Sequence, residues 1–391
     1  MQTRISRFEK IFPMSAEYST AFCPYRICPL GAHVDHQHGF VTGFALDKGI
    51  TITYSANDDG VCRIVSANME GMKEFNVKHI PHKLGDWADH FRGTVQILKR
   101  DFEINVGVNA YVEGSLPIGG LSSSAAVIIA FMSAICKVNN IKLTQKQIIT
   151  YAMAVENKYV GVSCGKLDQS TEVYSKRNHL MYLDTENDEC KLIVRKNNDI
   201  KYKIGIFFSG VPRSLAGTAY NMRVDECKSA AYALKAFSGM EYHKFGDTYL
   251  RDVPYEIFEQ YKDKLPENWR KRAEHFYSEN ARVKQGAKLW ENGDLIGFGK
   301  LINESGRSSI YSYETGSPEL KALYEAMLHT DGIYGGRFSG AGFKGCCMAL
   351  IDPDYEEEIT KKITEAYLSQ FPELSDAFEI HYCETADGVK F

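Results

Sequence analysis

The sequence has no Cys-x2-Cys pair, no Gly-x4-Gly-Lys-Ser/Thr run and no apolar segment long enough to span a bilayer. Each absence removes a class of protein. Ten cysteines are scattered between Cys23 and Cys383, and without paired spacing they frame no zinc knuckle. They read as reduced, mostly buried thiols of a cytoplasmic protein. The nearest imitation of a Walker loop, Gly161 to Lys166, is followed by Leu167 and lacks the metal-binding hydroxyl. The longest apolar run, Ala125 to Cys136, is interrupted by Ser133 and falls short of the ~20 residues a membrane span needs. Met1 to Phe22 mixes charged and polar groups, so neither a signal peptide nor a membrane partner is expected. Charges nearly cancel, at a net −4, and no long basic stretch points to nucleic acid. There is no internal repeat and no low-complexity tract.

What is present is a loop of unusual composition. Leu116-Pro117-Ile118-Gly119-Gly120-Leu121-Ser122-Ser123-Ser124-Ala125-Ala126 sets two glycines and three hydroxyls directly before an apolar helix. The first N–H groups of a helix have no partner within it, and the helix dipole adds positive potential there. An anion satisfies both. Glycines let the main chain approach closely, and serines supply the oxygens a magnesium ion prefers. One serine would be an ordinary N-cap. Three after a Pro/Gly loop favour phosphate.

At 391 residues the chain can form two domains, divided on composition into 1–202 and 203–391. In the first part Thr51–Ala56 and Val61–Ser66 read as strands joined by an Asp58–Gly60 turn. Asp86–Arg100 reads as a helix, and Ile104–Glu113 as a strand leading into the serine loop. A helix over Thr144–Glu156 opens on a capping-box pattern, Thr144 with Gln147. His179–Asp184 and Lys201–Ser209 are strand candidates, with Thr185–Ile200 between them as a hairpin arm or domain junction. Long helices follow at Leu215–Phe237, Glu267–Asn292, Asp294–Glu304 and Pro318–Thr330, the last capped by Ser317. Cys346–Ile351 and Glu379–Cys383 read as strands around a helix at Asp354–Leu368. Gly340-Ala341-Gly342-Phe343-Lys344-Gly345 imitates a dinucleotide fingerprint, but a strand-like run follows it rather than a helix. The expectation there is a glycine backbone packed against a neighbouring loop.

Two further segments complete a pattern. They are Pro24-Tyr25-Arg26-Ile27-Cys28-Pro29-Leu30-Gly31-Ala32-His33-Val34-Asp35-His36 and Cys164-Gly165-Lys166-Leu167-Asp168-Gln169. With the serine loop and Ser339–Gly345, they resemble the GHMP small-molecule kinases, and within them the galactokinase branch. The resemblance spans residues 24 to 347. It implies an α+β, two-domain GHMP kinase fold. The N-terminal domain would resemble domain 2 of ribosomal protein S5, and the C-terminal domain would be ferredoxin-like. ATP and a sugar would meet between them, with Mg2+ as cofactor.

The resemblance also assigns roles. Asp168 matches the catalytic aspartate beside the anomeric hydroxyl, where a carboxylate accepts a proton. Arg26 matches the arginine that keeps Asp168 ionised and neutralises the transferring phosphoryl group. Ser124 and Glu156 match the magnesium ligands. Gly119, Gly120, Leu121, Ser122, Ser123 and Ala125 would line the ATP phosphates. Trp87 resembles the family's tryptophan near adenine; a core tryptophan is the alternative. Asp35 matches the residue binding sugar O3 and O4, Gly165 brings backbone to the ring, and Tyr220 fits the sugar-contacting tyrosine. His33, His36 and His38 crowd one loop without an outside ligand, so His33 is read as part of the sugar loop rather than a metal site.

The chain departs from the branch at Ala32, where galactokinases carry a glutamate that binds the 6-hydroxyl. A uronic acid has a carboxylate at that carbon. Two carboxylates about 4 Å apart repel by roughly 4 kcal/mol at an effective dielectric of about 20, which is roughly three decades of affinity. Alanine removes that repulsion and makes room. The opening motif is also similar to that of plant-type galacturonokinases. The expected reaction is therefore phosphorylation of D-galacturonate at O1. Lys166, Arg213 and Lys344 are candidates to meet the C6 carboxylate, with Lys166 foremost. The alternatives are a kinase of galactose, glucuronate, arabinose or N-acetylgalactosamine, and a sugar sensor without turnover. The catalytic and metal-ligand positions are all retained, which favours the enzyme. The expected partners are small molecules, and the expected assembly is a monomer or weak dimer.

Overall fold

The computed structural model describes residues 2–13, 15, 17–211, 217–241 and 244–391. Its strands are β1 (Ser19–Ile27), β2 (Phe40–Asn57), β3 (Val61–Ser66), β4 (Lys73–Asn76), β5 (Gly107–Gly114), β6 (His179–Asp184), β7 (Glu189–Val194), β8 (Lys203–Phe208), β9 (Ile333–Phe338), β10 (Cys346–Ile351), β11 (Glu379–Cys383) and β12 (Thr385–Ala386). The helices are α1 (Gln2–Ile11), α2 (Asp89–Leu98), α3 (Ser123–Val138), α4 (Gln145–Ala154), α5 (Leu167–Tyr174), α6 (Gly217–Ser238), α7 (Tyr255–Tyr261), α8 (Glu267–Asn292), α9 (Leu295–Tyr311), α10 (Pro318–Leu328) and α11 (Glu356–Leu368). Among the described residues no helix is long and apolar enough to cross a membrane.

β2 is the spine of the larger sheet. One edge pairs with β1, and the other pairs in turn with β6 and β5 along its length. The order β4-β3-β5-β2-β6-β7 follows, with β12 also returning to β2. The smaller sheet has the order β11-β8-β10-β9, all antiparallel. The architecture is mixed helix and sheet, built on two separate sheets, as the α+β expectation has it.

The Asp58–Gly60 turn does reverse the chain, but the expected β2–β3 hairpin does not form. β5 lies between them, antiparallel to β2 and parallel to β3. The link crosses the start of β5 at Gly107, where a Cβ would collide with the Val61 backbone. Other expectations hold. The Thr144–Gln147 capping box is fully formed, Ser317 caps α10, and β7 is the hairpin arm of β6. No cysteine is disulfide-bonded.

The core explains why both sheets hold one site. α3 is apolar on most sides because it is enclosed by β1, β2, α2 and α4. Its cluster continues through Val283 and Trp290 of α8, Phe298 of α9 and Met348 of β10. A second cluster packs Ala32 and Val34, from the loop between β1 and β2, against Ala230 of α6 and Phe276 of α8.

Candidate active site

Arg26 stands at the end of β1, just past a break in the β1–β2 register between Pro24 and Arg26. Pro24 donates no ladder hydrogen bond, so an edge strand with a bulge suits it, and a bulge re-aims the following side chain. The guanidinium is buried and paired with Asp168, at 2.8 Å from Nε and 2.6 Å from the second terminal nitrogen to Oδ1. Its other terminal nitrogen donates to the Gly120 carbonyl at 3.2 Å. One side chain therefore ties the aspartate, in the first turn of α5, to the glycine-serine turn.

That turn is shaped by its glycines. Gly119 has φ +146° and Gly120 φ +82°. A Cβ on Gly120 would stand 2.7 Å from Cys346 Sγ and 3.0 Å from the Ser339 carbonyl. Gly340 and Gly345 press back against Gly120 and Gly119, and Ser339 Oγ donates to the Gly120 carbonyl at 2.7 Å. The imitation dinucleotide motif is thus a glycine backbone packed on a neighbouring loop. Ser122 precedes α3 in the left-handed conformation, φ 58°, and makes no side-chain cap. Its Oγ is buried without a partner. The ordinary capping role is not the one it plays.

Ser124 Oγ donates to Glu156 Oε1 at 2.7 Å. Glu156 lies in a π-turn following α4 and also accepts from Gln169 Nε2 and, at 3.3 Å, Cys164 Sγ. No ion pair among the described residues reaches it. Burial, with the charge of Asp168 adding, pushes its pKa up to about 7. A buried carboxylate with a hydroxyl beside it and no balancing cation is a donor set that fits a hard divalent ion.

Asp35 begins a short 3-10 turn and is buried. Its Oδ2 accepts from the Leu167 N–H at 3.2 Å. Gly165 touches it so closely that a Cβ would fall on the carboxylate. Burial and the charge of Asp168 raise Asp35 to about 6, against hydrogen bonds from the Leu167 and His36 backbone and the charge of Arg26. His33 stacks on Tyr313 at 4.4 Å between centroids, with Tyr220 at 6.4 Å, and its Nε2 is buried and unpartnered. His36 donates from Nε2 to the Tyr313 hydroxyl at 3.0 Å, because its Nδ1 accepts from Gln37. Burial lowers His33 and His36, so both imidazoles are neutral near pH 7. Ala32 is buried beneath His275, whose Nε2–H donates to the Ala32 carbonyl at 2.9 Å.

Asp168, Arg26, Asp35, Glu156, Ser124 and the glycine-serine turn therefore share one region. Trp87 stands edge-on to Phe91, half-buried with an unpartnered Nε1. Lys166 is ion-paired with Asp188 of the β6–β7 turn, which removes the free cation expected of it. Lys344 is half-buried in the Gly340–Gly345 loop. Arg213 lies outside the described residues. Sequence reasoning passed over Tyr313, His275, Gln169, Cys164 and Ser339. Of these Gln169, Cys164 and Ser339 stood inside a recognised motif, and Tyr313 and His275 did not.

Comparison with known proteins shows the family. Residues 89–176 match the GHMP kinases N terminal domain and residues 287–369 the GHMP kinases C terminal domain. A galacturonokinase of Arabidopsis thaliana is 35% identical, over 96% of this chain and 93% of its own. A galactokinase of Staphylococcus saprophyticus is 32% identical, over 100% of this chain and 99% of its own. The crystal structure of Lactococcus lactis galactokinase complexed with galactose superposes with a TM-score of 0.90 at 26% identity, covering 98% of each chain. The chain belongs to the galactokinase branch of the GHMP kinases and is a sugar kinase, a phosphotransferase with an alcohol group as acceptor.

Proposed function

We propose that the chain phosphorylates D-galacturonate at its anomeric hydroxyl, with ATP as donor and Mg2+ as cofactor. The observation that carries this reading is Arg26 spanning Asp168 and Gly120, one residue joining a base to a phosphate turn. Asp168 accepts the proton of O1 as O1 bonds to the γ-phosphorus. The bond from that phosphorus to the bridging oxygen breaks, and ADP leaves. The anomeric hydroxyl is more acidic than an ordinary alcohol, so a carboxylate suffices. Arg26 holds the Asp168 carboxylate in place and balances charge on the phosphoryl group in flight.

The turn of Gly119, Gly120, Leu121, Ser122, Ser123 and Ala125 receives the phosphates, and the unpartnered Ser122 Oγ gains an oxygen there. Trp87 lines the adenine. Ser124 and Glu156 hold Mg2+, which when bound neutralises phosphate charge. Asp35 accepts from the sugar hydroxyls at C3 and C4, beside Gly165, His33 and Tyr220. Two hydroxyls on neighbouring carbons reaching one carboxylate read stereochemistry.

Preference for the acid rests on Ala32 and on the similarity to the Arabidopsis thaliana galacturonokinase. With Lys166 held by Asp188, the unpartnered His33 Nε2 is the polar atom beside Ala32 that a C6 substituent would satisfy. The division into residues 1–202 and 203–391 belongs to this reading and is supported by β8, which opens the second sheet at Lys203.

ADP release with Mg-ATP across a panel of hexoses and uronic acids tests the proposal. The expected outcome is a higher kcat/KM for galacturonate than for galactose, lost on Ala32→Glu by about three decades. Equal or better turnover of galactose overturns the substrate. An unchanged preference in the variant overturns Ala32 as the selector. Sugar binding without ADP release would mark a sensor.

A further inference from the structure

The loop carrying Asp35 adopts a costly backbone shape. Gly31 has φ +99°, and His33 and His38 have φ 62° and 61°, a region L side chains rarely adopt. A Cβ on Gly31 would meet Val41 Cα at 2.6 Å, so the loop has no room to relax inward. Thr42 and Thr185 bond it from the first part of the chain, and further bonds come from the second. Three side chains of α8 reach it. Glu279 Oε1 accepts from the Gly31 N–H at 2.7 Å, His275 Nε2–H donates to the Ala32 carbonyl at 2.9 Å, and Asn280 Oδ1 accepts from the Phe40 N–H at 2.9 Å. Both ends of the loop and the selector position are pinned from one helix.

Glu279 is the centre of this clamp. It is fully buried and accepts from Arg282 Nε at 2.7 Å and from Ser305 Oγ, with Arg337 3.6 Å away. Burial pushes its pKa up, but Arg282 and Arg337, helped by His275 and Ser305, outweigh that and leave it at about 2. An ionised acceptor grips an N–H more strongly than a neutral one. Arg337 is itself fixed by Ser305, Ser309 and the Phe338 carbonyl. It stands two residues before Ser339, which holds Gly120.

We propose that Glu279 is a positioning residue for the sugar: acting through the Gly31 N–H, it sets the loop that presents Ala32, His33 and Asp35 to the acceptor. This rests on reading that loop as the sugar site. The test compares Glu279→Gln, Asn280→Ala and Asp35→Asn with the parent. KM for sugar, KM for ATP, kcat and thermal midpoint are measured with whichever of galacturonate and galactose is turned over faster. Glu279→Gln is expected to raise the sugar KM about tenfold and leave the ATP KM within about twofold. Asn280→Ala, at the loop's other end, is expected to act in the same direction and carries the test if Glu279→Gln does not fold. A lower thermal midpoint with both KM values unchanged would make Glu279 a packing residue and overturn the proposal. If Asp35→Asn alone raises the sugar KM, the positioning role falls and the sugar site stands. If none of the three variants moves it, the sugar-site reading falls too.

Discussion

Asp35 and Asp168 do different work because their neighbours differ. Asp168 is half-exposed and held by Arg26, whereas Asp35 is buried with only backbone N–H groups in direct contact. The folded value of about 6 lies above the ordinary 3.8, so the fold favours protonated Asp35. Its contribution to stability is therefore complete below the ordinary value and is lost as pH rises through about 6. The proposed sugar contact needs the opposite form, because the ionised carboxylate accepts from two hydroxyls without donating. The kcat/KM for sugar should fall about tenfold per pH unit below pH ~6, where the free enzyme binds that proton. Asp35→Asn should lose most activity and also lose this limb of the thermal-midpoint profile. A kcat/KM that stays level through that range would detach Asp35 from the sugar. Lys166 carries a lesson at the same scale. Its place beside Gly165 and Asp168 was legible, but its partner Asp188 lies 22 residues on, in a turn that only the β6–β7 pairing brings near.

Among the elements, the glycine-serine turn depends on what is packed behind it. Gly120→Ala should cost about 1–2 kcal/mol for the left-handed backbone alone, and more because the new methyl meets Cys346 Sγ. The expected readout is a lower thermal midpoint and a raised KM for ATP, with the sugar KM little changed. A neutral substitution would mean that the turn is not fixed by the Ser339–Cys346 segment. Where local pattern decides structure, the sequence was sufficient. α8, β6, β10 and β11 begin and end where periodicity and punctuation put them. Where partners decide, it was not. The Asp58–Gly60 turn announces a reversal but carries no information about which strand lies alongside, and β5 takes the place β3 was expected to hold. Ser122 has the residue type of a cap, yet its left-handed backbone turns it away from capping. Glu279 and Asn280 sit among the charged and polar residues of α8. Their hydrogen bonds to a loop some 240 residues earlier leave no local trace.

For the whole molecule, the two loops proposed to hold sugar and phosphate both come from the first part of the chain and are both braced by the second. The sugar loop leans on α8, the phosphate turn on the segment after β9, and one apolar cluster runs through α3, α8, α9 and β10. A phosphoryl donor and a sugar must meet within about 3–3.5 Å for reaction, and this bracing sets that meeting from both sides. The account's central claim is transfer of phosphate to O1 of a sugar acid. An equimolar mixture of galacturonate and galactose, incubated with the protein and Mg-ATP and followed by phosphorus and proton NMR, tests it directly. The account predicts a phosphate coupled to the anomeric proton, accumulating on galacturonate first. A phosphate on any other carbon, or on galactose first, would contradict it.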